Sequence, residues 1–197
     1  MLIRHGQTKL HRADRFWGNT DIELSDIGVR QAEQLRDRLA RTKIDTVYTS
    51  TLQRAGVTAG IIASRHKLSV TPSPDLCECS FGFAEGLTFK EIQHRYPDLA
   101  EELASGKAIS FPGGESLEQL DRRVKKFLAT LDGRKPDAKI AIVAHGGPLR
   151  LMICHLLNLG TEHWLQFRLD HASLSIVETY PRGNILNLWN DVSHMKS

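Results

Sequence analysis

Lys139-Ile140-Ala141-Ile142-Val143-Ala144 is an uninterrupted apolar run closed by His145-Gly146-Gly147-Pro148, and it constrains the fold more than any other stretch. A strand of this kind must be covered on both faces, which is the situation of a parallel strand flanked by helices. A helix is expected to follow it, over about 149–159. Upstream, residues 45–49 read as a second strand, entered from a helix that begins near Ser25 and followed by another over about 52–64. Residues 68–71 make a third short strand. Leu117, Leu120, Val124, Leu128 and Leu131 mark the inner stripe of a long helix, and Ser116 with Gln119 forms a capping box at its start. Residues 174–180 and 185–189, joined by Pro181-Arg182-Gly183-Asn184, predict a terminal hairpin. The pattern as a whole predicts an α/β fold, a three-layer α/β/α sandwich with a mostly parallel central sheet.

Between residues 72 and 112 the regularity breaks. Pro74, Gly82, Gly86, Pro97 and Gly106 interrupt short helical patterns at 88–95 and 98–104, which reads as an inserted helical cap region that could cover a site. With 197 residues against about 150 for an average domain, a single domain carrying this insertion is expected. Lys and Arg number 26 against 23 Asp and Glu, a net charge of +3 too small and dispersed for a nucleic-acid surface. Three cysteines make no disulfide framework, and Cys77 and Cys79 lack zinc-like ligand spacing, so both are expected to be packing residues. No apolar run is long enough to span a membrane and no leader pattern opens the chain, so a cytoplasmic location is expected.

Ligands of open parallel sheets bind outside the carboxyl ends of the strands, near a switch in strand order. Arg4-His5-Gly6-Gln7-Thr8 and Ala144-His145-Gly146-Gly147 both fall at such ends. If their strands are neighbours, the two histidines share one crevice. Either histidine alone reads as a hydrogen-bonded structural residue, and Arg54 alone as a surface cation. Together Arg4 and Arg54 would bring two guanidinium forks to the same edge, and such forks match phosphate oxygens.

Further motifs occur along the chain. Gly18 to Asp21 is followed by Leu24-Ser25-Asp26-Ile27-Gly28 and Gln31-Ala32. Ser50-Thr51-Leu52-Gln53-Arg54-Ala55 precedes Thr58-Ala59. Leu76-Cys77-Glu78 precedes Phe81-Gly82 and Glu85-Gly86-Leu87, and Pro112-Gly113-Gly114-Glu115-Ser116 comes later. In this order they resemble the histidine phosphatase superfamily, also called phosphoglycerate mutase-like, over residue 2 to about 189, and the last motif resembles the phosphatase branch near the α-ribazole phosphatases.

The resemblance implies that His5 is a nucleophile forming a phosphohistidine that water then hydrolyses. Arg4, Arg54 and His145 would hold the equatorial oxygens. Glu78 would protonate the leaving oxygen, a role that suits a carboxyl partly withdrawn from water. Flanking Arg4 and Arg54 are expected to lower the pKa of His5 and keep it neutral. Gln7, Thr8, His11, Gly18, Gly146 and His171 would contact substrate. His11 stands where many members carry Asn, and Gln7 where Glu is usual. No metal and no cofactor are implied, and the partner would be a small phosphorylated metabolite, with no nucleic acid and no membrane. Trp17, Phe81, Phe83 and Phe111 could line the pocket wall. His66, His94, His155, His163 and His194 read as surface or core-edge residues.

α-Ribazole phosphate, phosphoserine, sugar phosphates and nucleotides fit the insertion equally. A phosphoglycerate mutase and a non-catalytic binder of phosphorylated ligands stand as alternatives, and the edge of the terminal hairpin could pair two copies into a homodimer.

Overall fold

The computed structural model describes residues 1–10, 15–105, 109–135 and 137–195; His11 and Gly106 lie outside these. Six strands form one sheet: β1 (Leu2–Arg4), β2 (Thr46–Thr49), β3 (Val70–Pro72), β4 (Ile140–Ala144), β5 (Leu174–Tyr180) and β6 (Gly183–Asp191). Their order is β3-β2-β4-β1-β5-β6. The first four in that order run parallel, and the terminal hairpin joins them through an antiparallel β1–β5 pairing. β4 therefore sits between β1 and β2, and its predicted neighbourhood with β1 is observed, Leu2 opposite Ile142 and Arg4 opposite Ala144.

The two-residue period of the strands divides the molecule into two cores. Ile3, Val47, Ala141, Val143 and Leu174 face α1 (Asp26–Leu39) and α2 (Gln53–His66), where they meet Leu35, Leu39, Ala55, Ala59 and Ile62. Leu2, Tyr48, Ile142 and Ala144 point the opposite way. They meet Leu120, Val124 and Phe127 of α5 (Leu117–Ala129) and Leu149, Met152 and Ile153 of α6 (Gly146–Leu156). Two shorter helices, α3 (Phe89–Arg95) and α4 (Pro97–Ser105), lie within the 72–112 stretch.

That stretch packs into the second core through Ile92, Leu99, Ala100, Ile109 and Phe111, so it is a built part of the wall rather than a detached flap. Phe81 and Phe111 stack at 4.8 Å in this packing, whereas Phe83 is 65% exposed. Helix starts follow their caps. Ser25 accepts from the Gly28 amide, and both Thr88 and Ser116 form complete capping boxes. The last helix starts three residues earlier than expected, directly after His145, because Gly146, Gly147 and Pro148 all fit a first turn in which amide hydrogens have no helical partner.

Candidate active site

Three adjacent parallel strands deliver side chains to one edge: β1 leads into His5, β4 into His145, and β2 into Ser50 and the first turn of α2 with Arg54. The His5 backbone is stitched between neighbours, its amide donating to Ala144 and its carbonyl accepting from the Ala172 amide, both at 3.0 Å. The His5 and His145 rings lie 5.0 Å apart, and His171 stands 5.5 Å from His5 on the other side.

Hydrogen bonds decide the tautomers of the two buried histidines. His5 Nδ1 is 2.7 Å from the Gly6 carbonyl, which can only accept, so Nδ1 carries the proton and Nε2 the lone pair. His145 Nδ1 faces Arg54 Nε–H at 3.2 Å, a pure donor, so its proton sits on Nε2 and goes to Ser50 Oγ at 2.7 Å. Both rings are held neutral, with pKa values well below 6.5. For His5 the main cause is burial, followed by His145, Arg4 and Arg54. Arg4 and Arg54 lower it as expected, and desolvation, which the sequence did not show, outweighs them.

Arg54 is 2% exposed and fixed by the chain around it, Nη1 donating to Thr20 at 2.8 Å and Nη2 to Gly18 at 2.6 Å. Arg4 Nη1 donates to the Leu169 carbonyl at 2.6 Å, while its buried Nε has no partner among the described residues. Burial lowers the Arg4 pKa to about 10, so it stays charged at neutral pH. Glu78 lies over the N-terminus of α6, its Oε1 accepting from the Gly147 amide at 3.0 Å and the Cys79 amide at 2.9 Å. Helix N-termini favour anions at such positions. Gly146 opens the same turn, where an added Cβ would lie 3.7 Å from Glu78 Oε2 and 3.5 Å from Arg150 Nη1.

The remaining predicted contacts divide. Gly18 is at the site through its carbonyl and its close approach to the Cys79 carbonyl. Gln7 ties the loop to the cap of α1, its side-chain Oε1 accepting from Ser25 Oγ at 2.9 Å and its backbone N–H donating to Gln31 Oε1 at 2.9 Å. Thr8 is buried and bridges to Leu24. Cys79 is a buried packing residue, its thiol pushed up by desolvation, but Cys77 faces an open cleft, with Sγ 3.0 Å from Thr51 Oγ1.

Several residues were not foreseen. Ser50 and Thr58 hold His145 and Gly6, respectively. Glu85 gathers the amides of Gly18, Asn19 and Phe81 and the Thr20 hydroxyl. Arg150 on α6 donates to the Phe167 carbonyl and adds a further cation near Glu78 and Arg4. Only its place five residues after His145 could have flagged it. The cleft beside Glu78 has a volume of about 660 Å3 and a mixed lining, in which Asn19, Thr51, Ser80 and Gln119 stand beside Leu52, Pro74 and Cys77.

A buried neutral imidazole among guanidinium groups, with a carboxyl at a helix N-terminus, is an arrangement suited to an anionic ligand such as a phosphoryl group. The sequence matches the histidine phosphatase superfamily (branch 1) over residues 1–192. It is 31% identical over 196 residues to phosphoserine phosphatase 1 of Hydrogenobacter thermophilus, covering 99% of this chain and 93% of that one. The α-ribazole phosphatase of Shigella flexneri superposes with a TM-score of 0.87 at 28% identity, over 97% of this chain and 95% of that chain. A mutant phosphoserine phosphatase of Entamoeba histolytica in complex with phosphoserine also gives 0.87, at 26% identity over 99% and 98%. The chain belongs to the histidine phosphatase superfamily, and its activity is that of a phosphatase, a hydrolase. No helix among the described residues is long and apolar enough to cross a membrane.

Proposed function

We propose that the chain hydrolyses small phosphomonoesters through a phosphohistidine on Nε2 of His5. The observation that carries this reading is the Nδ1–H bond of His5 to Gly6, which leaves Nε2 basic and unprotonated. In the first step Nε2 attacks phosphorus, the bond to the leaving oxygen breaks, and Glu78, entering as the acid, gives that oxygen its proton. In the second, water attacks the phosphohistidine and gives its proton to the Glu78 carboxylate, while the N–P bond breaks and His5 returns to its resting tautomer. Arg4 and Arg54 hold the equatorial oxygens through both transfers, and His145 joins them by turning its Nε2–H from Ser50 to a phosphate oxygen. Every step is assigned to a side chain, so activity is expected to be undiminished in chelator.

The cleft would take the leaving group, with the 72–112 insertion supplying Pro74, Cys77, Glu78 and Ser80 to its wall. Names of relatives keep phosphoserine and α-ribazole phosphate as the first substrates to try. The nearness of the His171 ring to His5, 5.5 Å between centroids, supports a contact to the transferred group or its ester oxygen.

The test is phosphate release from a panel of phosphoserine, α-ribazole phosphate and 3-phosphoglycerate, with acid-labile labelling of the protein, for wild type and His5→Ala. Label and turnover are expected in the wild type and neither in the variant. Full activity in His5→Ala would sink the mechanism, and interconversion of phosphoglycerates faster than phosphate release would make the chain a mutase.

A further inference from the structure

Among the described residues, Arg123 is a heavily engaged guanidinium away from Arg4 and Arg54. It projects from α5, where Leu120, Val124 and Phe127 anchor the helix in the core. Its Nε and Nη2 form a bidentate fork with Glu115, at 2.7 and 2.8 Å. The same guanidinium donates to the carbonyls of Asp75 at 2.9 Å, Cys77 at 2.5 Å and Glu78 at 3.0 Å. Both side chains of the pair are 17% exposed. Residues 78–80 have no helix or strand of their own, so their backbone is referenced to the fold through these bonds. Glu115 closes the bracket from the other side: its carbonyl and carboxylate meet the Cys79 thiol and the Ser80 amide, and its amide donates to the Ser80 carbonyl at 2.8 Å.

We propose that the Glu115–Arg123 pair is the positioning device for Glu78, fixing the carboxyl between α5 and α6 at the height from which it protonates the leaving oxygen. The proposal rests on the phosphohistidine reading above. A planar fork suits such positioning because it fixes direction as well as distance, and lysine cannot reproduce its several simultaneous donations. Burial opposes the charge of Arg123, but bonding to Glu115 and the nearby acidic groups outweigh it and raise its pKa, so the guanidinium stays charged.

A positioning role differs from a scaffold role in one readout. An ester whose leaving oxygen is a poor leaving group needs the proton, and an aryl ester that departs as a stable phenolate hardly does. The experiment compares kcat/KM, which reports the first transfer, for glycerol 2-phosphate and p-nitrophenyl phosphate. The proteins are wild type, Arg123→Lys, Glu115→Gln and, as the benchmark, Glu78→Gln. The expected result is a loss of about 10- to 100-fold on glycerol 2-phosphate in both clamp variants, with less than about threefold loss on the aryl ester, as in Glu78→Gln. Equal losses on the two esters, no loss on either, or failure of both variants to fold would overturn it. A wild-type chain that forms no phosphohistidine would remove the underlying reading first, before any variant is compared.

Discussion

At the scale of single residues, the decisive facts are which nitrogens carry protons. His5 and His145 were legible as a pair because each ends an apolar run and is followed by glycine. Their tautomers were not, because those depend on a carbonyl one residue away and on Arg54, which lies 91 positions from His145. Burial also keeps both rings uncharged where an ordinary histidine would titrate. In a 13C-edited NMR titration the Cε1–H resonances of the two are therefore expected to hold neutral-imidazole shifts as pH falls through 6.5, where exposed histidines move. A midpoint at or above 6.5 for His5 would contradict the burial argument. Gln7, two positions after His5, reads as a ligand from sequence because it is polar and close to the strand end; what the sequence does not show is that its Oε1 accepts from Ser25 at the cap of α1.

At the scale of elements, the site depends on how closely loops and helices approach. Gly6 and Gly28 let the His5 loop lie against the first turn of α1: a Cβ on Gly28 would stand 2.0 Å from the Gln7 carbonyl oxygen. Backbone on both sides leaves nothing to yield, so Gly28→Ala is expected to lower stability by about 2 kcal/mol or more and to reduce turnover with it, read by urea unfolding. Gly147→Ala is a different case. Its Cβ would stand 2.4 Å from Glu78 Oε1, the end of a flexible side chain that can swing away. The fold should hold within about 1 kcal/mol while hydrolysis of alkyl phosphates drops at least about tenfold; parallel loss of stability and activity would refute this separation. Helices, strands and the Ser116–Gln119 capping box were readable because periodicity and caps are local. The Glu115–Arg123 clamp was hidden because its acid sits in a loop and its base reads as one more cation on a charged helix.

For the molecule as a whole, the two neutral histidines tie stability to pH. The unfolded chain binds a proton at each below about 6.5, and the folded chain does not until far lower pH. Stability is thus flat with respect to these groups above 6.5 and falls as the medium is acidified below it. The slope tends to about 1.4 kcal/mol per pH unit for each histidine. Urea midpoints measured between pH 7.5 and 5 are expected to fall accordingly, and replacing His145 by Gln should remove part of the slope. The layered architecture followed from the pattern of apolar runs, whereas the insertion's share of the core did not, because its Pro and Gly residues hide the periodicity of Ile92, Leu99 and Ile109. β1 is the earliest strand in the chain, yet it pairs with β4 and β5, which lie more than 130 residues later. During synthesis on the ribosome, the segment bearing His5 therefore waits for more than 130 further residues to emerge before it finds either neighbour. Phosphatase activity should be the last property to appear in a growing or refolding molecule, well after its helices have formed.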